Sequence, residues 1–145
     1  MTPDINVLLA ASRSDHSHHR PALKWLNQAI AGCSSGTSIE LLPMVVAGFL
    51  RLATNRKIFV NPMPIEAALR FLDSLLAIDG VGMPEVGREW PALRQLISDH
   101  RLSANSIPDA WIAAAVKSLS SHLVTFDRDF SRLLSRADVT ILTAS

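Results

Sequence analysis

The chain carries a single cysteine, Cys33, so no disulfide closes within it and a reducing compartment is expected. Aromatic side chains are scarce, at 6%, which leaves the core to aliphatic residues within a hydrophobic share of 48%. Neither sign of charge dominates: 14 basic residues face 13 acidic ones, for a formal charge of +1. That balance excludes a protein that holds nucleic acid mainly through a broad basic face. It leaves open one that engages a phosphate backbone through a metal ion and a few arginines. The longest apolar run, LLPMVVAGFL, is about half of the ~20 residues that span a bilayer. The start of the chain lacks the basic stretch and apolar segment of a signal peptide. A cytoplasmic protein with no membrane association is the expectation.

A length of 145 residues suits one domain with a real core, expected over residues 1–145. MTPDINVLL opens as a short strand ending near Asp4, and NVLLAAS reads equally as strand or helical turn. Helices follow with Pro21, Pro43 and Pro64 in their first turns, where the missing N–H costs nothing. Further helices are expected over REWPALRQLISDHRL and from Pro108 onward. TSIELL, SHLVTF and ADVTILTA have the composition of strands, and DRDFSRLL that of a short helix. Strands alternating with helices predict an α/β domain whose parallel sheet is covered on both faces.

Ligands of such a sheet bind at the carboxyl ends of its strands. Asp4 closes the first strand, Asp127 follows HLVTF, and Asp109 lies in the first turn of a helix after a polar loop. All three can project to one edge, where they repel each other and destabilise the fold. A divalent cation removes that conflict, and Mg²⁺ or Mn²⁺ favours hard oxygen ligands and bridges to phosphate. The constellation points to metal-assisted phosphodiester chemistry. A plainer account stands beside it: an aspartate in a first helical turn complements the helix dipole by ~0.3–1 kcal/mol.

Four segments in order, PDINVLLAAS, GFLRLATNRKIF, IPDAWIAAAV and LVTFDRDFSRL, resemble a PIN-domain ribonuclease. More narrowly, they resemble the VapC toxins of bacterial toxin–antitoxin pairs. The likeness extends over nearly the whole chain, including DHSHHRPALKWL after the first aspartate. It implies a PIN-like α/β domain, with a central, mostly parallel β-sheet flanked by α-helices on both faces. It implies a Mg²⁺-dependent endoribonuclease (Mn²⁺ being the alternative ion) that cuts structured RNA and is silenced by a cognate VapB-type antitoxin. It also implies a homodimer or a toxin–antitoxin hetero-oligomer. Asp4 matches the family's first acidic ligand, Asp109 the acid opening the DA-x-IAA helix, and Asp127 the acid of T-x-D-x-D-F. Asn6 and Thr125 fall where the family often places polar residues around the metal.

One departure matters. Many PIN nucleases carry a glutamate on the second helix, where this chain has Val46. Glu40, on the preceding strand, is the nearest acid and the candidate substitute. LPMVVAGFLR resembles a related group that also lacks the helical glutamate. Without that acid the alternative is a PIN-like module that binds RNA or a partner and cuts weakly. Arg51, inside an otherwise apolar run, is a candidate phosphate contact. His16, His18 and His19 match no closed zinc site and read as the polar start of a helix.

Overall fold

A computed structural model describes residues 1–144. Its strands are short: β1 (Thr2–Pro3), β2 (Ile39–Glu40), β3 (Val81–Gly82), β4 (Leu123–Thr125) and β5 (Val139–Ile141). Between them run α1 (Ile5–Ser12), α2 (His19–Cys33), α3 (Pro43–Ala53), α4 (Ile65–Leu76), α5 (Trp90–His100) and α6 (Ser106–Ser118). A 3₁₀ turn, Arg128–Arg132, follows β4.

Every strand pairing is parallel. Pro3 lies opposite Val124 and Thr125 opposite Ile141, giving a sheet in the order β1-β4-β5. Ile39 lies opposite Val81, pairing β2 with β3. The Glu40 N–H donates to the Met1 carbonyl at 2.9 Å and so joins the pair to the outer side of β1. Parallel neighbours need long crossovers, and the helices supply them. α1 packs on α2 and α3, α3 on α4, and α5 on α6.

NVLLAAS, which reads two ways in the sequence, is helix. Val7, Leu8, Leu9, Ala10 and Ala11 of α1 are all buried, so the helix shows no polar face to give a period. Gly48 lets α3 approach it closely, because a Cβ there would collide with the Ile5 side chain. Gly80, at φ +94°, holds the turn before β3 in the left-handed region and faces Cys33. The last long helix starts at Ser106, two residues earlier than Pro108. Ala110 and Ile112 to Val116 bury its inner side.

Candidate active site

β1 ends at Pro3, and Asp4 caps α1 in an extended conformation. The turn from strand to helix therefore fixes where its carboxylate points. Asp4 Oδ1 accepts the Ile5 N–H at 2.7 Å, and Oδ2 accepts the Thr125 hydroxyl at 2.6 Å. Asp4 is only 6% exposed. Burial raises its pKa, the bonds from Thr125 and Ile5 pull it back down, and the Asp127 charge raises it again.

Thr125 ends β4, the strand hydrogen-bonded beside β1, and is fully buried. Besides donating to Asp4, its Oγ1 accepts the Asp127 N–H at 2.9 Å and the Asn6 amide at 3.2 Å. Asn6 Oδ1 in turn accepts the Phe126 N–H at 3.2 Å. One hydroxyl thus ties residues some 120 positions apart in the chain. Asp127 caps the 3₁₀ turn, and its Oδ1 accepts the Asp129 N–H at 2.9 Å.

Asp109 reaches this edge from the first turns of α6. Its carboxyl is pushed up to about 6, first by burial and then by the charges of Asp4, Asp127 and Asp129. The three aspartates expected from the sequence therefore feel one another, and Asp129 is a fourth. The second acid of the T-x-D-x-D-F segment was the available signal for Asp129, and sequence reasoning passed over it. None of the four has an ion-pair partner among the described residues.

Glu40 is elsewhere, which corrects its expected place among the acids. Its Oε2 accepts the N-terminal ammonium at 2.7 Å and the Ser121 hydroxyl at 3.1 Å, and Oε1 accepts Ser38 at 2.9 Å. Met1 and Ser121 precede β1 and β4, so Glu40 sits at the amino ends of the strands, across the sheet from Asp4 and Thr125. Burial raises its pKa, but the ammonium and the two hydroxyls more than reverse this and leave it lowered. Val46 packs against the core from α3. Arg51 is exposed in the last turn of that helix, with no hydrogen bond or ion pair among the described residues to bring it to the acids.

The histidines serve local structure. His16 Nδ1 accepts the His18 N–H at 3.0 Å, and His19 Nδ1 bonds the Ala10 carbonyl at 2.8 Å. His18 stacks on Phe126 with ring centroids 4.4 Å apart, so the segment after α1 does abut the acidic edge.

Four carboxylates without an ion pair among the described residues fit a divalent cation, and an all-oxygen donor set suits Mg²⁺ or Mn²⁺ better than Zn²⁺. Among the described residues, no three His, Cys, Asp or Glu side chains stand close enough to hold an ion without moving. Asp4 is held by two hydrogen bonds, whereas Asp109 and Asp127 are only partly buried.

Residues 1–134 match the PIN domain family. The chain is 39% identical over 133 residues to Ribonuclease VapC31 of Mycobacterium tuberculosis (strain CDC 1551 / Oshkosh), covering 91% of this chain and 92% of that protein. It is 38% identical over 133 residues to Ribonuclease VapC25 of Mycobacterium tuberculosis (strain ATCC 25618 / H37Rv), with the same coverage. A chain in the crystal structure of VapBC2 from Rickettsia felis bound to a DNA fragment from their promoter superposes with a TM-score of 0.66. That match covers 98% of both chains at 15% identity, and so speaks for the fold alone. The acidic edge of a parallel sheet thus sits in a chain that belongs to the PIN domain family, within its VapC group.

Proposed function

We propose that this protein is the toxin of a type II toxin–antitoxin system, a Mg²⁺-dependent endoribonuclease that hydrolyses RNA phosphodiester bonds. The observation that carries the reading is the set of four mutually repelling carboxylates at the carboxyl edge of the sheet, with Asp109 raised to about 6. Its relatives named Ribonuclease VapC support RNA as the substrate. Likeness to a chain of the VapBC2 structure supports a VapB-type antitoxin as the partner.

Asp4, Asp109 and Asp127 would hold the ion, with Asp129 beside them. When bound, Mg²⁺ supplies Lewis acidity, orients the phosphate and makes water an effective nucleophile near neutral pH. Asp4 offers a fixed oxygen, because Thr125 and the Ile5 N–H leave its carboxylate one orientation. Thr125 and Asn6 position rather than bind substrate in this scheme: they hold Asp4 and the Asp127 backbone in register. Glu40 takes no part, and Asp129 supplies the acid that Val46 does not. Arg51, exposed and unpaired, is available to a distal phosphate.

The test is cleavage of total RNA by antitoxin-free protein. Cutting is expected with Mg²⁺, is lost in EDTA, and is lost in Asp4→Asn and Asp109→Asn variants that keep the parent's circular dichroism. Parent-like cleavage by either variant refutes the assignment.

A further inference from the structure

A second feature adjoins Asp109. The α5–α6 connection, the start of α6 and the 3₁₀ turn after β4 enclose a cleft of about 210 Å³. Asp109, Asp129, Arg132, His100, Leu102 and Leu133 line it. In the connection Arg101 (φ 52°) caps α5 in the left-handed region, its N–H donating to the Ile97 carbonyl, and Ala104 (φ 48°) is left-handed as well.

The cleft's composition matches one kind of ligand. It is smaller than the ~300 Å³ at which drug-sized sites begin, so it accepts one compact group rather than a length of chain. Leu133 is 9% exposed and Leu102 partly buried, which gives an apolar surface. His100, exposed at the cleft, carries an aromatic ring of the kind on which unstacked bases are received. Arg132 is exposed and forms no ion pair with Asp109 or Asp129 among the described residues, although it shares the cleft with both. A polyanion that approaches four carboxylates needs a cation at the rim, and a guanidinium grips phosphate with a rigid fork of donors.

We propose that this cleft is the subsite for the nucleotide adjoining the cut: Arg132 binds its phosphate, and Leu102, Leu133 and His100 receive its base. The proposal rests on the nuclease reading and adds the residues that position the substrate on one side of the acids.

The experiment measures binding and cleavage separately. Binding of a fluorescent random-sequence octaribonucleotide is followed by anisotropy in Mg²⁺ on the Asp4→Asn background, with and without Arg132→Ala. About tenfold weaker binding is expected, with a plot of log affinity against log salt that is shallower by about one unit. Arg132→Lys keeps the charge and is expected to restore the slope. On the otherwise unaltered protein, Arg132→Ala is expected to raise KM and change kcat little. Leu102→Ala is expected to relax the base preference at one position beside the cut, read by sequencing the cleaved ends. Equal affinity and slope with and without Arg132, or an unchanged KM, overturns the subsite while the nuclease reading stands. That reading fails instead if the unaltered protein cuts no RNA.

Discussion

Replacing Asp109 with asparagine tests the electrostatics of the edge without reference to catalysis. The carboxyl rises from 3.8 to about 6 on folding. Between those values the folded chain binds more protons than the unfolded one, so stability falls as pH rises through this window. Above about pH 6 the whole penalty is present. A rise of roughly two units corresponds to about 3 kcal/mol, at about 1.36 kcal/mol per unit. Asp109 is partly exposed and water screens it, so about 1–2 kcal/mol is the realistic size. The variant keeps the shape of the side chain and removes the charge. In EDTA at pH 8, Asp109→Asn is therefore expected to be more stable than the parent by that amount, or several degrees in Tm at about 2–4 °C per kcal/mol. The gain shrinks as pH falls through this window and reaches zero only well below 3.8, where Asp109 is protonated in both states of the parent. Added Mg²⁺ is expected to raise the Tm of the parent more than that of the variant, because a ligand that binds only the folded state stabilises it. Thermal melts across pH, with and without metal, give every quantity needed. A variant no more stable than the parent at pH 8, or one with an equal gain well below pH 3.8, refutes the claim that repulsion and burial burden this carboxylate.

Three further outcomes are expected. Thr125→Val deletes the hydroxyl that donates to Asp4 and accepts from Asp127 and Asn6, and should cost about 1–3 kcal/mol in urea melts. With one lowering influence on Asp4 gone, its RNA cleavage should also begin at higher pH than in the parent. Glu40→Gln should leave the cleavage rate within about twofold, since Glu40 sits at the opposite end of the strands, and should cost under ~1 kcal/mol. Because the pKa of Glu40 is lowered, that contribution is present above its unfolded value and fades as pH falls through the folded one, so parent and variant melts should converge in acid. Gly48→Ala forces a methyl against Ile5, an overpacking cost of about 1–3 kcal/mol partly offset by about 1 kcal/mol of helix propensity. Ile5→Val in the same chain should recover stability, and purely additive losses in a double-mutant cycle would show that the two side chains do not meet.

Most of the architecture was legible because proline and small polar residues punctuate the helices. Pro43 and the residue after Pro64 open α3 and α4 where the composition places them. What failed to read had physical causes. α1 is buried nearly all round, so its residues carry no alternation and no helical stripe. The strands are two or three residues long, so composition and not a period of two marked those that did read. Asp4, Asp109 and Asp127 were legible because each follows a strand or opens a helix, and the sheet's topology collects such positions at one end. Glu40 misled for the same reason read backwards. It ends its own strand, β2, but its carboxylate lies beside the amino ends of β1 and β4, and only the register against Met1 reveals that. Arg132 and the leucines of the cleft left no trace in the sequence, because three separated segments build that space.

The order in which the edge is assembled explains why the acids differ. Asp4 and Thr125 come from adjacent parallel strands, so the sheet itself sets their separation, and a buried hydrogen bond of 2.6 Å fixes it. Asp109 comes from a helix held by its alanine-rich inner side, and Asp127 and Asp129 from a single 3₁₀ turn. Rigidity therefore falls from Asp4 outward, and the partly exposed carboxylates are those left able to move. A site built this way tolerates repulsion because the buried apolar surface of α1 and α6 lies immediately behind it. The same packing means that loss of charge at the edge should change stability and metal response without changing the fold, whereas loss of Thr125 should disturb both.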